Sequence, residues 1–433
     1  MSEVTTKTAE VSSSGAVDAR TSMVGKDPYD VSLEDYDVSQ RELFRSNTMW
    51  GFFERLRKEE PVHYCKDSEF GPYWSVTKFD DISAIEGNPG VFSSTPTISI
   101  QDPMEDFKVS MFIAMDEPTH GNQRRTVQGA VAPRNLANME GLIRERVCTI
   151  LDDLPVGETF DWVEKVSVEL TTLMLATLFD FPLEDRNKLT YWSDVATATP
   201  GPDSIIKTFA DRTRILTQEC APTFMKLWQE RAVGEPKFDL ISMMAQGEET
   251  KDMATERPLE FIGNIMLLIV GGNDTTRNSI SGSVLFLNEN PDEYDKLLAN
   301  HDLIGSMVPE VIRYQTPLTH MRRTANEDFS FQGKDIKKGD KVVMWYVSGN
   351  RDDEAIETPD AFIIDRERPR HHVSFGFGIH RCMGNRLAEM QLRIVWEEIL
   401  KRYKKIEPLS EPKRVYSNLI KGYSELQVKL HPR

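Results

Sequence analysis

The sequence has few cysteines, and none is paired at the spacing of a disulfide framework or a zinc site. The four cysteines stand singly at positions 65, 148, 220 and 382, so a reducing compartment is favoured over a disulfide-stapled secreted domain. No run approaches the ~18 apolar residues that a membrane-spanning helix requires. Residues 1–25 lack the apolar centre of a signal peptide. We therefore expect a cytoplasmic protein without a transmembrane segment.

Positive charge is also scarce. The chain has 52 Lys and Arg against 69 Asp and Glu, which gives a net charge of −17 over 433 residues. Because phosphate binding needs a basic face, this balance argues against nucleic acid or an anionic membrane as a general partner. Repeats and linkers are lacking too. We expect a polar, disordered tail over residues 1–27 and a single domain over residues 28–433.

What the sequence does contain is a glycine-rich stretch around one cysteine, over residues 375–384, directly before a helical pattern. Glycine permits backbone angles that are closed to other residues and lets a loop press against a flat partner. Amides near a helix N-terminus favour a negative charge on the sulfur of Cys382. Such a thiolate suits an axial ligand of haem iron, to which it donates electron density. A buried structural cysteine is the alternative.

A long apolar pattern over residues 258–290 predicts a helix that stops before Pro291. Its middle reads Gly-Gly-Asn-Asp-Thr-Thr from Gly271 to Thr276. A glycine inside a helix costs about 1 kcal/mol relative to alanine. We therefore expect either close packing of another helix or contact of a ligand with the backbone here. Asp274 and Thr275 add a carboxylate and a hydroxyl, which are costly to bury in an apolar segment.

Five motifs in order along the chain resemble those of the cytochrome P450 superfamily. They are His120-x-x-x-Arg124, Gly-Gly-x-Asp-Thr-Thr at 271–276, Glu310-x-x-Arg313, Arg323-x-Ala325 and Phe375-x-x-Gly-x-His-x-Cys-x-Gly384. The resemblance covers residues 28–433. It implies a mainly α fold shaped as a triangular prism with a small β subdomain. It also implies haem b between the long central helix and the cysteine loop.

The same resemblance implies roles for individual residues. Cys382 would be the metal ligand. Thr275 would position water and Asp274 would relay protons, as the catalytic pair. The other residues expected to contact the cofactor are His120, Arg124, Gly271, Arg323, Phe375, His380 and Gly384. Of these, the two histidines and two arginines would neutralise the haem propionates, with Arg322 as the competitor of Arg323. Glu310, Arg313 and Arg366 would form a structural ion-pair cluster.

Within the superfamily, residues 173–182, 271–279, 320–325 and 417–425 resemble the bacterial alkane and fatty-acid terminal (omega) hydroxylases. This resemblance implies hydroxylation of the terminal carbon of medium-chain n-alkanes or fatty acids, using O2 and two electrons derived from NAD(P)H. A hydroxylase of bulkier lipids, such as sterols or terpenes, is one alternative. A haem-thiolate gas sensor or electron carrier is another, which the Asp274–Thr275 pair disfavours because a sensor needs no proton relay.

The substrate pocket is expected where several apolar segments meet the haem. The irregular segment 92–113 is predicted to be a binding loop, and residues 417–430 are predicted to form a β-hairpin that turns near Gly422. The apolar residues that the resembling fold would place by the haem are Ile98, Ile100, Phe107, Met111, Phe112, Leu268, Val270, Leu318, Met321, Leu419 and Ile420. Plain core packing is the alternative for each of them.

Electrons are expected from separate proteins, a ferredoxin and a ferredoxin reductase, because the sequence shows no flavin- or ferredoxin-like domain. Four arginines near the cysteine loop could steer an acidic ferredoxin within an otherwise acidic chain. They are Arg125, Arg381, Arg386 and Arg393. Ordinary solvated arginines are the alternative interpretation.

Overall fold

The computed structural model describes residues 22–105, 107–201 and 204–433. Helices dominate these residues, which confirms the predicted mainly α class. The α-helices, in chain order, are α1 (Arg41–Arg45), α2 (Trp50–Glu59), α3 (Phe79–Glu86), α4 (Thr119–Gln128), α5 (Pro133–Asp152), α6 (Glu169–Phe179), α7 (Asn187–Thr197), α8 (Phe209–Ile215), α9 (Ala221–Ala232), α10 (Leu240–Gln246), α11 (Met253–Glu256), α12 (Pro258–Glu289), α13 (Pro291–Ala299), α14 (Ile304–Gln315), α15 (Tyr346–Gly349) and α16 (Asn385–Arg402).

The strands are short and form a small β subdomain with three accessory sheets. They are β1 (Val62–Cys65), β2 (Tyr73–Val76), β3 (Phe92–Ser93), β4 (Thr159–Asp161), β5 (Met321–Ala325), β6 (Phe329–Phe331), β7 (Lys334–Ile336), β8 (Lys341–Met344), β9 (Tyr403–Pro408), β10 (Lys413–Arg414), β11 (Tyr423–Glu425) and β12 (Gln427–Pro432). The main sheet has the order β1-β2-β8-β5-β3, with β2 and β8 parallel. The other sheets are β4-β12-β9, β10-β11 and β6-β7.

The long helix α12 is the centre of the helical part. Pro258 occupies its first turn, where proline is favoured because the missing N–H would have no helical partner. The helix runs for 32 residues and ends two residues before Pro291, as the sequence predicted. Helices α6, α7, α14 and α16 pack against it. Most of its side chains are buried on all sides, which agrees with its continuous apolar pattern.

The C-terminal segment differs from the prediction, because residues 417–430 do not fold onto themselves as a hairpin. Strand β11 instead pairs with β10, and β12 pairs with β4 and β9. Gly422 is required for a different reason. A Cβ atom at this position would lie 2.4 Å from the side-chain amide of Asn278 on α12. Glycine therefore allows this segment to approach the central helix closely, rather than forming a tight turn.

The N-terminal prediction falls mostly outside the described residues, because residues 1–21 of the expected tail are among those not described. Within the described part, Met23 is fully buried, and its amide donates to the side-chain oxygen of Gln40 at 3.1 Å. It packs in a cluster with residues such as Tyr36 and Trp345, so tertiary packing extends to residue 23. No helix of the described ranges is both long and apolar enough to cross a membrane.

Candidate active site

The cysteine loop is closed by its own backbone directly before α16. The amide of Cys382 donates to the carbonyl of Phe375 at 2.8 Å. Gly376 and Gly378 both have a φ of +67°, a left-handed conformation in which a side chain would be strained. These glycines bend the chain so that Cys382 lies just before the N-terminus of the helix. The local pattern of glycines and a following helix thus positions the thiol.

The sulfur of Cys382 lies in a recess of the protein, as a free and accessible thiol. Burial raises the pKa of the Cys382 thiol, while the backbone amide of Gly384 and the charges of Arg124 and Arg381 oppose this rise. Amides and guanidinium groups around a sulfur stabilise its thiolate form. These groups offset burial only in part, so the thiol becomes a thiolate when a metal ion binds it.

Three of the four residues expected at the propionates meet beside this loop. The rings of His120 and His380 lie 4.0 Å apart, measured between centroids. The two nitrogens of His120 lie 2.8 Å from the carbonyl of Phe112 and 3.1 Å from that of Ile379. Arg124 donates to the carbonyl of Arg381 at 2.6 Å. The structure thus brings α4 against the cysteine loop through the predicted His-x-x-x-Arg pair.

His380 carries a buried nitrogen that has no hydrogen-bond partner among the residues that the structure describes. Its Nε2 lies 2.9 Å from the hydroxyl of Ser94, whereas Nδ1 is unpaired. Burial, followed by the charges of Arg323 and His120, lowers the pKa of His380 to about 2. An unpaired buried polar atom is costly. A polar group of a ligand next to this ring would remove that cost.

Adjacent arginines on β5 point in different directions, because neighbouring side chains of a strand face opposite sides of the sheet. Arg323 donates to the carboxylate of Glu86 at 3.0 Å. Arg322 donates to Asp102 at 2.6 Å, and its amide donates to the carbonyl of Ile98 at 2.7 Å. Arg322 therefore holds the irregular segment. Arg323, on the side of the cysteine loop, therefore remains the candidate for contact with a haem propionate.

The two central glycines of α12 serve different purposes. A Cβ atom on Gly272 would lie 2.7 Å from the side chain of Leu175, so α6 packs closely there. A Cβ atom on Gly271 would meet no atom of the described ranges within 4 Å, and Gly271 is exposed although most of the helix around it is buried. Thr275 lies one turn further along the same face, and its hydroxyl donates to the carbonyl of Gly271 at 3.1 Å. The close-packing explanation therefore holds for Gly272, and contact of a ligand with the backbone stays a prediction for Gly271.

Asp274 is the buried acid of a small charged network. Its carboxylate lies 2.6 Å from Arg277 and accepts a hydrogen bond from Ser193 at 3.2 Å. Arg277 also donates to Asp194 on α7 at 2.9 Å. Burial raises the pKa of Asp274, and Arg277 opposes this rise. A carboxyl with a raised pKa can take up and release a proton closer to neutral pH.

Sequence reasoning did not single out Arg277, Ser193 or Asp194. The spacing Asp274-x-x-Arg277 was visible, since residues three apart share a helix face. Nothing in the sequence indicated that Ser193 and Asp194 of α7 would lie against this face.

The segments expected around the substrate are joined at the start of β5. Thr319 donates its amide to the carbonyl of Leu419 at 2.9 Å, and Leu318 forms a bridge with Ile420. Arg322 joins the irregular segment from the other side, as described above. Three segments that are distant in the sequence therefore meet.

The predicted substrate residues divide by burial. Ile100 packs into the N-terminal cluster that contains Trp345. Phe107, Phe112 and Leu268 belong to the main helical core, and Ile420 is also buried. The half-buried residues, which keep accessible apolar surface, are Ile98, Met111, Val270, Leu318, Met321 and Leu419.

His320 was missed by the sequence reasoning. It accepts a hydrogen bond from the amide of Ile100 at 3.3 Å and contacts the carbonyl of Asn418 at 3.0 Å. Burial lowers the pKa of His320 to about 4. The ring is therefore neutral at pH 7 and can accept on one nitrogen while donating on the other.

The expected ion-pair cluster is present beneath the cysteine loop. Arg313 donates to Glu310 at 2.7 and 2.8 Å, and Arg366 donates to the same carboxylate at 3.1 Å. Arg313 also donates to the carbonyls of Asn350 and Pro359. These bonds connect α14 to the coil that precedes the cysteine loop.

The four surface arginines do not form one free group. Arg125, Arg381 and Arg386 are exposed. Arg393 differs, because it pairs with Glu140 at 2.8 Å and with Glu397 at 2.7 Å. These carboxylates offset its charge, so Arg393 does not belong with the other three as a docking group.

Comparison with known proteins identifies the family. The family model described as Cytochrome P450 matches residues 45–430. Cytochrome P450-153 from Novosphingobium aromaticivorans has 44% sequence identity and a TM-score of 0.85, with 91% of this chain and 99% of that chain covered. CYP153D17 from Sphingomonas sp. PAMC 26605 has 43% identity and a TM-score of 0.85, with coverage of 92% and 100%. Linalool 8-monooxygenase from Pseudomonas putida is 34% identical, over 93% of this chain and 100% of its own length. The chain belongs to the cytochrome P450 family and is a monooxygenase of that family.

The family implies a haem cofactor, and the residues present fit one. Cys382 offers an accessible thiol, Gly271 leaves space above the helix backbone, and His380 has an unpaired nitrogen. Arg124 supplies positive charge beside the loop, and Arg323, which is paired with Glu86, supplies N–H donors on the same side. When bound, the haem supplies the chemistry of O2 activation with external electrons.

Proposed function

We propose that this monooxygenase hydroxylates the terminal carbon of medium-chain n-alkanes or fatty acids, with electrons from a ferredoxin and its reductase. The observation that carries the proposal is the accessible face of α12. Gly271 and Thr275 are open in the middle of an otherwise buried helix, and half-buried apolar side chains such as Val270 lie beside them. A small apolar substrate would meet a hydroxyl and a backbone carbonyl at this face.

The terminal position is supported by relatives as well as by sequence motifs. A relative named methyl-branched lipid omega-hydroxylase, from Mycobacterium tuberculosis, is 28% identical over 93% of this chain. The resemblance to bacterial terminal hydroxylases agrees with the similarity to the two P450-153 structures. A terminal C–H bond is stronger than an internal one, so the pocket must select the chain end by shape. Side chains at the junction of the irregular segment, β5 and residues 417–421 would impose that selection.

Each polar residue of the site has a defined part in this proposal. Cys382 is the thiolate ligand of the haem iron. Arg124, Arg323 and the two histidines, His120 and His380, hold the propionates. Thr275 positions a water molecule near the reacting oxygen, and Asp274 passes protons to it from the Arg277 side. These protons are consumed when O2 is reduced, and their delivery determines whether the electrons form alcohol or hydrogen peroxide.

Electron delivery is proposed at the face that carries Arg381, Arg386 and Arg125. All three are exposed near Cys382 in a chain of net charge −17. An acidic ferredoxin would be attracted to this local positive charge, and its association would weaken with added salt. This part of the proposal would be contradicted if the electron-transfer rate changed neither with ionic strength nor with charge reversal at these arginines.

A second candidate is a hydroxylase of bulkier lipids. Two relatives are named for such substrates: linalool 8-monooxygenase, at 34% identity, and steroid C26-monooxygenase from Mycolicibacterium smegmatis, at 32%. A wider pocket would then accept a branched or cyclic molecule. Substrate shape, rather than reaction type, separates the two candidates.

Product analysis decides between them. The protein would be reconstituted with NADH, a ferredoxin and a ferredoxin reductase, and supplied with n-alkanes and fatty acids of graded length, linalool and a sterol. The proposal predicts terminal alcohols from unbranched chains, with substrate-dependent NADH consumption. Products mainly from linalool or the sterol would favour the second candidate, and internal alcohols would contradict terminal selection.

Cys382→Ser should abolish the thiolate-type Soret band of the reduced CO complex.

A further inference from the structure

Glu86, the last residue of α3, is a buried carboxylate that the proposed function does not use. Its side chain is 1% exposed. The carboxylate accepts hydrogen bonds from the hydroxyl of Tyr346 at 2.6 Å, from Arg323 at 3.0 Å and from the amide of Phe377 at 2.5 Å. These donors belong to α15, β5 and the cysteine loop. One side chain therefore joins three parts of the chain beside the haem-binding residues.

The cysteine loop also lies against the backbone of Glu86. A Cβ atom on Gly378 would be 2.5 Å from the carbonyl oxygen of Glu86. A Cβ atom on Gly376 would be 3.3 Å from the hydroxyl of Tyr346 and 3.4 Å from the Glu86 carboxylate. The glycines of the loop are thus needed for contact with α3 as well as for their backbone angles.

We propose that Glu86 is a positioning residue for the haem site, which fixes Arg323 and the cysteine loop relative to each other. The inference rests on the proposed function, because it assigns Arg323 to a propionate. Glu86 and Arg323 are both almost fully buried, and together they form a neutral unit. Tyr346 and Phe377 keep the carboxylate hydrogen-bonded while Arg323 presents its remaining N–H groups to the cofactor.

The charge of Glu86 has a consequence that a merely structural contact would lack. Removing the carboxylate takes one negative charge away from the surroundings of the haem, which favours the reduced iron. Removing Arg323 leaves the carboxylate uncompensated, which favours the oxidised iron. A change of one charge at about 10 Å in a protein corresponds to roughly a tenfold change in such an equilibrium.

The test uses the haem-loaded protein and its redox titration, followed by absorbance. Glu86→Gln is expected to raise the ratio of ferrous to ferric protein at a fixed potential by roughly tenfold. Arg323→Gln should shift the ratio in the opposite direction, and the double variant should lie near wild type. Both single variants should also release haem faster to an acceptor globin. Asp81→Asn is the matched control, since Asp81 is a buried carboxylate of the same helix that bonds to Gln332 instead.

Several outcomes would overturn the inference. One is a Glu86→Gln protein with wild-type potential and haem release, and another is a double variant that does not return toward wild type. If Glu86→Gln fails to fold, Tyr346→Phe can be used instead, because it keeps the charge of Glu86 but removes one hydrogen bond to it. This variant should release haem faster while its reduction potential stays near that of wild type. Unchanged haem release would contradict the inference. A wild-type protein without the thiolate-type Soret band would instead contradict the proposed function itself.

Discussion

Two regions of the molecule contain the same sequence spacing, an acid followed three residues later by arginine, with different surroundings. Glu310 and Arg313 lie on α14, and Asp274 and Arg277 lie on α12. In both pairs the acid is fully buried and within ion-pair distance of its arginine. The spacing places both residues on one helix face in each case. Any difference in role must therefore come from what surrounds the pair.

Around Glu310 the carboxylate is fully satisfied. It accepts hydrogen bonds from Arg313, from Arg366 and from the amide of Ile363. Burial alone would raise the pKa of Glu310, but the bonds from Arg313 and Arg366 hold it below its ordinary value. One carboxylate faces two guanidinium groups, so the acid remains charged. This arrangement stabilises the fold and does not exchange protons near neutral pH.

Around Asp274 the balance of charge is reversed. Two carboxylates, Asp274 and Asp194, share the single guanidinium of Arg277. Burial raises the pKa of Asp274, Arg277 opposes the rise, and the charge of Asp194 adds to it. The acid is therefore easier to protonate than an ordinary aspartate. If Asp274 relays protons as proposed, the count of neighbouring charges, rather than the motif, separates this pair from the structural pair on α14.

Glu310→Gln should have the largest effect, on stability. Breaking a buried ion pair by removing one partner costs about 3–5 kcal/mol, and here two arginines lose their anion. The free energy of unfolding would be measured by chemical denaturation. Asp274→Asn is the matched comparison and should change it by less than about 1 kcal/mol, because Arg277 keeps Asp194. Equal losses in the two variants would contradict the distinction between the pairs.

The two pairs should also respond to pH with opposite sign. Glu310 has a lowered pKa, so its stabilisation is present above its ordinary value of 4.5 and is lost as pH falls through the folded value. Asp274 has a raised pKa, so its contribution is most favourable at low pH and declines as pH rises through the interval above 3.8. Stability measured from neutral to acid pH should therefore fall less steeply in Glu310→Gln than in wild type.

Asp274→Asn should have the next largest effect, on turnover. An amide of similar shape cannot relay a proton, and loss of general acid–base catalysis typically costs about 10²-fold or more. The rate of NADH oxidation at saturating substrate should fall by about that factor, and the solvent isotope effect on this rate should be larger than in wild type. The variant should retain haem and stability. Wild-type turnover with a normal isotope effect would remove Asp274 from the relay.

Thr275→Ala should change the products more than the rate. In the described part of the chain the Thr275 hydroxyl bonds within its own helix, to the carbonyl of Gly271 at 3.1 Å, so little stability is lost. Without the hydroxyl, no water is held in position to direct proton delivery. O2 is then released as hydrogen peroxide, and less alcohol is formed. We expect alcohol formed per NADH consumed to fall several-fold, within the range of one lost catalytic hydrogen bond. An unchanged ratio would show that Thr275 serves only to satisfy the helix.

The sequence was sufficient for features that depend on neighbouring residues. The span of α12, the cysteine loop before α16 and the Glu310–Arg313 pair all follow from local spacing. Residues that act on these features from a distance could not be found. Glu86 bonds to Arg323 across 237 positions, and Asp194 bonds to Arg277 across 83. Such partners are chosen by tertiary packing, which no periodicity records.

Strand pairing was the other failure, for a related reason. Apolar and polar residues alternate over 426–430 as a strand should, but alternation does not name the partner of a strand. The two strands of this segment pair with different partners, β11 with β10 and β12 with β4 and β9. The centre of the segment is held instead by the bridge between Leu318 and Ile420 and by contact with Asn278 on α12. Gly422 was predicted to lie at the turn of the hairpin, whereas it is needed for close contact with Asn278, a residue 144 positions away in the chain.

Asp194→Asn should have the smallest effect of these substitutions, and it tests the role of the second carboxylate directly. Asp194 is 37% exposed at the surface end of the network, and ion pairs of this kind contribute at most about 1 kcal/mol. Turnover should fall by no more than about fivefold, and wild-type turnover should respond more to salt than that of the variant. Because the charge of Asp194 raises the pKa of Asp274, its removal should move the pH–rate profile toward lower pH. A shift toward higher pH, or a loss as large as that of Asp274→Asn, would mean that Asp194 is itself the proton donor and that the network ends at the surface rather than at the buried acid.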